Sequence, residues 1–170
     1  MQRRYLSMEL RKTGIEAIGD IPWGTHISYI YSSENGNRCL NSTLSPFIKE
    51  GLSHNELCVW IYSQNSCHHE IVEALEKHIP HVNTYITSGQ LIILPHTKWY
   101  LEDGTFIEPR VNKKWISLLK YALDNGYEGL RAIGDIAWLP KSFAESFANY
   151  EKNVNSLISN LPFIAICLYD

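Results

Sequence analysis

The sequence predicts an α/β protein with a three-layer arrangement, in which helices cover both faces of a mostly parallel central sheet. Short apolar runs alternate along the chain with amphipathic segments at helical spacing. Helix-length segments that join successive strands favour parallel strands, with the helices packed on the two faces. The run from Leu57 to Tyr62 is apolar at almost every position, which is typical of a strand buried on both sides. A chain of 170 residues is expected to form one domain.

The alternation of apolar runs and amphipathic segments predicts the following strands and helices. Residues 1–17 contain helix-forming residues and are predicted as a short helix on the sheet edge, within an N-terminal helix or arm of residues 1–18. Strands are predicted at residues 25–31, 56–63, 82–87, 91–94, 130–136 and 164–169. Helices are predicted at residues 40–52, from Ser66 to about His78, at residues 108–125, and from a Ser142 cap to Ile158. The first strand is expected to be central. The loop 97–106 is expected to be long enough, with its Asp-Gly hinge, to close over a small molecule.

Composition excludes several classes of partner and points to the cytoplasm. The net charge of −3 does not favour nucleic acid or an anionic membrane. The sequence contains no apolar run long enough to span a bilayer, and residues 1–17 lack a signal-peptide core. The cysteines have no paired spacing and are expected to be reduced, with Cys58 and Cys167 buried inside strands.

The loop from Ser32 to Arg38 follows the first strand, at the place where a nucleotide-binding protein carries its phosphate loop. It contains one glycine and no Gly-Lys-Ser/Thr, so no nucleotide cofactor is expected. No nucleophile motif is present either, and the protein is not expected to be an enzyme. Cys67, His68 and His69 are adjacent on a predicted helix, where neighbouring side chains diverge by about 100°. No metal site is therefore expected.

A seven-residue segment occurs twice with six identical positions. Residues 17–23 and residues 132–138 share this pattern, but two copies with unlike flanks do not make a repeat architecture. We interpret them as two similar Asp-turn-Trp corners.

Eight sequence pieces occur in the order found in one known family. They are Trp23–Ile27, Cys58–Ile61, Ser88–Pro95, Trp99–Leu101 with Asp103, Gly104 and Phe106, Gly129–Arg131, Gly134 and Asp135 with Trp138, Tyr150 with Glu151, and Ala165–Tyr169. Together they resemble the MEDS domain, the methanogen/methylotroph dichloromethane-regulator sensory domain, over about residues 20–169. The resemblance implies a RecA-like sheet without the Walker A lysine. It also implies a sensor of small hydrocarbon-derived molecules, joined to a DNA-binding or kinase output module.

The predicted ligand site lies at the carboxyl edge of the sheet, where parallel strands leave a crevice. Its expected walls are Tyr31, Trp99, Tyr100 and Trp138, with His26 or Arg131 as the polar anchor and Asp135 nearby. Each residue also has a structural interpretation. His26 would be a core histidine bonded to backbone, the Trp99–Tyr100 pair would pin its loop to the core, and Asp135 would cap a turn.

A structural ion pair with Glu151 is the favoured interpretation of Arg131, because a buried guanidinium needs a carboxylate. The alternative is an arginine offered to an anionic ligand. The residues favour a ligand-binding module, and the resemblance implies a sensory domain in signal transduction or transcriptional regulation. The expected partners are a small organic ligand, an output module or partner protein, and a second copy of the chain. A degenerate RecA-like nucleotide-binding protein and a pure interaction module are the alternatives.

Overall fold

The computed structural model describes residues 10–32, 37–139 and 144–170, and it confirms the predicted α/β fold. The strands are β1 (Leu10–Arg11), β2 (Ile21–Pro22), β3 (His26–Ile30), β4 (Leu57–Tyr62), β5 (Leu91–Pro95), β6 (Leu130–Asp135) and β7 (Phe163–Tyr169). The helices are α1 (Asn37–Ser53), α2 (His68–Glu76), α3 (Val82–Ser88), α4 (His96–Trp99), α5 (Glu108–Asp124) and α6 (Ala144–Ile158). A short 3-10 helix covers Glu102–Gly104.

Five parallel strands form the main sheet in the order β3-β7-β6-β4-β5. The last strand, β7, lies between the first strand and the rest, and pairs His26 with Ala165. The expectation that the first strand is central is therefore wrong, because β3 is an edge strand. Its outward position leaves Ile30 82% exposed.

Helices cover both faces of the sheet and make three layers. Side chains alternate along β4, so Val59 and Ile61 join one core while Cys58 and Trp60 join the other. The first core includes residues of α4, α5 and α6, and the second includes residues of α1, α2 and α3. Cys58 and Cys167 are buried and unbridged, as predicted, whereas Cys39 and Cys67 are exposed.

Two predicted elements differ from the structure. Val82–Ser88 is a helix rather than a strand. Its β-branched residues suggested a strand, but Val82, Tyr85 and Ile86 meet the core at helical spacing. The helix predicted at residues 1–17 is wrong for residues 10–17, where β1 pairs antiparallel with β2 and a turn follows. Residues 1–9, most of the Ser32–Arg38 loop and the Ser142 cap lie outside the described residues.

The duplicated segments adopt different backbones. Gly19 has φ +72° and is followed by exposed Asp20, whereas Gly134 and Asp135 are buried in β6. The interpretation of two similar corners is therefore wrong, because strand pairing overrides the shared local sequence.

Candidate functional site

Arg131 is held at the amino ends of the strands, away from the predicted ligand edge. It is fully buried, and its guanidinium donates from Nε to Glu56 Oε2 at 2.5 Å and from Nη2 to Glu56 Oε1 at 3.2 Å. Arg11 donates to the same carboxylate from Nη2 at 2.8 Å. The prediction that Glu151 pairs with Arg131 is wrong. Glu56 lies just before β4, and the pairing of β4 with β6 brings it to Arg131.

The Arg11–Glu56–Arg131 group is structural rather than a ligand anchor. Arg131 Nη1 also donates to the carbonyls of Lys12 and Phe47, both at 2.9 Å. Protein acceptors thus take four of the five N–H groups of the guanidinium, which joins the N-terminal segment to α1 and the sheet. The structure gives no support to Arg131 as the predicted ligand anchor.

Asp135 is likewise occupied by protein donors. Its Oδ2 accepts from Ser63 Oγ at 2.6 Å and from the Ser63 amide at 3.3 Å. Its Oδ1 accepts from the Ala137 amide at 3.0 Å, which caps the turn after β6, and from Tyr31 Oη at 3.5 Å. Burial and the neighbouring charge of Asp135 raise the pKa of Tyr31 to about 12. The carboxylate therefore links the carboxyl ends of β4 and β6, and its role in ligand binding stays a prediction.

The four aromatic residues predicted as pocket walls are not brought together. Trp99, Tyr100 and Trp138 are buried in the core on the α5–α6 side, whereas Tyr31 packs on the opposite face. Tyr100 stacks on Trp138 with ring centroids 5.5 Å apart, and Trp99 contacts Trp115 at 4.4 Å. The loop expected to close over a ligand contains most of α4 and the 3-10 helix, and its aromatic residues are buried in the core.

Trp99 nevertheless forms one wall of an open groove between β5, α4 and α5. The groove has a volume of about 440 Å³, and its lining is mainly apolar carbon from Leu94, Trp99, Leu118 and the stems of basic side chains. The lining residues are Leu94, Lys98, Trp99, Arg110, Lys113, Lys114, Ser117 and Leu118. An apolar cleft of this size with a few polar groups suits a small organic molecule.

Basic residues give the groove an excess of positive charge. Lys114 Nζ lies 2.9 Å from Glu102 Oε2 and donates to the Trp99 carbonyl at 3.1 Å. The hydrogen bond and charge of Lys114 lower the pKa of Glu102. Within the described ranges, Lys98 and Lys113 make no ion pair. The groove therefore combines an apolar floor with the ammonium groups of Lys98 and Lys113, which could bind an anion.

A second polar cluster surrounds His26, whose side chain is only 2% exposed. His26 Nδ1 lies 3.0 Å from Asn155 Oδ1, and Nε2 lies 3.0 Å from Cys167 Sγ and 3.4 Å from Glu151 Oε2. Burial and the adjacent Glu151 raise the pKa of the Cys167 thiol well above its ordinary value. A buried thiol with a raised pKa is a weak nucleophile, so the arrangement does not favour thiol catalysis.

No sequence motif pointed directly to this cluster. His26 was singled out, but Cys167 was expected only to fill the core and Glu151 to pair with Arg131. Pairing of β3 with β7 places Cys167 opposite Ser28, on the face that α6 covers. His26 and Ser28 are two residues apart and therefore lie on the same face of β3. This pattern was the available clue, but it becomes informative only once β7 is known to be the neighbour of β3.

The five parallel strands with helices on both faces define a RecA-like α/β fold. In structure, the chain is similar to a KaiC-like protein from the hyperthermophilic archaeon Pyrococcus horikoshii. The TM-score is 0.63 at 13% identity, covering 95% of this chain and 70% of that one. At that identity the likeness shows the fold alone.

The chain belongs to the MEDS family, described as the methanogen/methylotroph, DcmR sensory domain, whose model matches residues 25–170. This assignment supports a sensory role in general terms. A comparison with curated proteins found no match. Among the described residues, no helix is both long enough and apolar enough to cross a membrane.

Proposed function

We propose that this domain senses a small, mainly apolar organic molecule that binds in the groove between β5, α4 and α5. The apolar floor beside Trp99, at a volume of about 440 Å³, is the observation that carries the proposal. A hydrocarbon-derived ligand gains from covering this floor, because burying apolar surface yields about 25 cal/mol per Å².

The charges on the rim favour a ligand with an acidic group. Lys98 and Lys113 have no acidic partner among the residues described, and both line the groove. The indole Nε1 of Trp99 is buried and lacks a described acceptor. A short carboxylic acid with an alkyl chain combines the features that these groups recognise.

Trp99 also supplies a route by which binding can reach the rest of the domain. Its ring contacts Trp115 of α5, whose Nε1 donates to Tyr150 Oη of α6 at 2.9 Å. A ligand that shifts Trp99 therefore acts on both helices of this face. We propose that these helices, or a homodimer built on them, pass the signal to a kinase or DNA-binding output module, without catalysis by this domain.

Binding of straight-chain carboxylates tests the proposal. Purified protein is titrated with alkanoates of four to eight carbons and with the matching alcohols, while tryptophan fluorescence is recorded. We expect a saturable change for the acids and weaker binding of the alcohols, and we expect Trp99→Phe to reduce the change.

The matched variants are Leu118→Glu, in the groove, and Ile116→Glu, exposed on the same helix outside it. Leu118→Glu should weaken binding at least tenfold because it places an anion on the apolar floor, whereas Ile116→Glu should bind as the parent does. Equal loss in both variants, or no response to any acid or alcohol, would contradict the proposal.

A further inference from the structure

We propose that His26, Glu151 and Cys167 bind a divalent transition-metal ion, with zinc as the best match. This proposal does not depend on the groove, and it departs from the sequence-based expectation of no metal. One ligand atom from each residue falls within a single sphere, since the three atoms lie within 4.8 Å of one another. The metal-like run Cys67-His68-His69 is not involved, because its side chains are exposed.

The two distances from His26 Nε2 to the other ligand atoms are close to those around a tetrahedral ion. With bonds of about 2.0 Å to nitrogen, 2.1 Å to oxygen and 2.3 Å to sulfur, a tetrahedral site separates nitrogen from oxygen by about 3.4 Å and nitrogen from sulfur by about 3.5 Å. The observed separations from His26 Nε2 are 3.4 Å to Glu151 Oε2 and 3.0 Å to Cys167 Sγ. The nitrogen–oxygen separation fits a tetrahedral site, and the sulfur lies roughly half an ångström closer to the nitrogen than such a site requires.

His26 is already oriented as a metal ligand. Asn155 Oδ1 is an acceptor only, so at 3.0 Å it receives the proton of His26 Nδ1. Nε2 then carries its lone pair toward Cys167 and Glu151. Histidine ligands in metal sites almost always make such an outer hydrogen bond, which fixes the tautomer and the ring. Asn155 is thus a positioning residue for this site.

The charges in the cluster call for a cation. Glu151 has a 15% exposed side chain, and its Oε1 is buried without a described hydrogen-bond partner. Across the described ranges, no lysine or arginine pairs with Glu151. A metal ion would compensate this charge, and the Cys167 proton would pass to solvent as the thiolate coordinates.

Strand pairing and helix spacing bring the ligand residues together. Ala165 is the neighbour of His26 across the β3–β7 pair, and its small side chain allows the imidazole to lean along the sheet toward Cys167. Glu151 and Asn155 are four residues apart on α6 and therefore share one helix face. Mixed nitrogen, oxygen and sulfur donors suit zinc better than calcium or magnesium, which prefer oxygen alone. Three protein ligands leave a fourth position open.

Cobalt(II) is the probe for the experiment, because thiolate coordination gives it a charge-transfer absorption band. The parent is the tag-free chain with Cys39→Ser and Cys67→Ser, which removes the two exposed thiols. We expect one equivalent of cobalt to bind with the thiolate band, zinc to displace it, and thermal unfolding to shift upward with either metal. Absence of the band in this parent would overturn the proposal.

Variants locate the ion. Cys167→Ser should abolish the band, Glu151→Gln should weaken cobalt binding at least tenfold, and Asn155→Ala should weaken it about tenfold. Asn155 is exposed, so its variant keeps the test decisive even where Cys167→Ser fails to fold. Asn153→Ala, an exposed change on the same helix outside the cluster, is the matched control. Unchanged affinity in both Glu151→Gln and Asn155→Ala would place the metal elsewhere and refute the site.

Discussion

Removal of Arg131 tests the buried ion group at the amino ends of the strands. Arg131→Met leaves the fully buried Glu56 with Arg11 as its one remaining guanidinium among the described residues. Breaking a buried pair by removing one partner costs about 3–5 kcal/mol, because the remaining charge stays desolvated. The carbonyls of Lys12 and Phe47 lose their donor as well. Since a domain of this size is stable by only about 5–15 kcal/mol, the variant should be close to unfolding at 37 °C.

A double-mutant cycle identifies the partner. Urea unfolding in metal-free buffer is measured for Arg131→Met, Glu56→Gln and their combination, and then for the same cycle with Glu151→Gln. We expect a coupling energy of about 1–3 kcal/mol with Glu56, as for residues in one ionic network. Glu151 has no contact with Arg131, so its coupling should be close to zero. A larger coupling with Glu151, or a loss below about 1 kcal/mol for Arg131→Met, would refute the assignment.

Four further predictions concern the stability of the fold and nucleotide binding. Gly51→Ala should destabilise the fold by about 1–3 kcal/mol in urea unfolding, because the new Cβ would lie 2.6 Å from Cys58 Sγ and 2.7 Å from Arg131 Cδ; exposed Ser53→Ala on the same helix is the control. Tyr150→Phe should cost about 1–3 kcal/mol by leaving the Trp115 indole N–H without its acceptor, and a neutral result would show that another group accepts it. Burial lowers the pKa of His96 from its ordinary 6.5. As the pH drops below about 6.5, the unfolded chain therefore takes up the proton before the folded chain does, and the free energy of unfolding should fall. His96→Gln should make the free energy of unfolding less dependent on pH in that range. Calorimetry should detect no binding of Mg-ATP at micromolar concentration, since the Ser32–Arg38 loop lacks Gly-Lys-Ser/Thr, and a micromolar Kd would contradict this.

Local patterns were sufficient for the fold class and for most elements. Apolar runs such as Leu57–Tyr62 and the stripes of α1 and α5 determine their own conformation, because their burial is encoded in neighbouring positions. The helix at Val82–Ser88 was missed because β-branched residues favour strands only weakly, and tertiary packing decided the outcome. The edge position of β3 was missed because the order of parallel strands is absent from any local pattern.

The site depended even more on long-range pairing. Arg131 was correctly expected to need a carboxylate, but the choice of Glu56 follows from the register between β4 and β6. Trp99 was correctly placed near a strand end, yet the sequence did not show that it belongs both to the core and to a groove wall. No local sequence pattern distinguished Cys167 and Glu151, because their chemistry depends on contact with His26, which lies far away in the sequence.

The position of β7 between β3 and β6 has a consequence for how the chain folds. The one described strand that pairs with β3 is β7, and His26 and Cys167 are 141 residues apart in sequence. Closing so long a loop carries an entropic cost that must be met before the pair is formed, which slows folding. During synthesis β3 therefore cannot form its backbone hydrogen bonds with β7 until residues 163–169 have left the ribosome. Pulse-labelling of amide hydrogens during refolding should show β3 among the last strands to become protected. The cluster of His26, Glu151 and Cys167 would then be completed only at the end of folding, so that metal binding would report a fully folded domain.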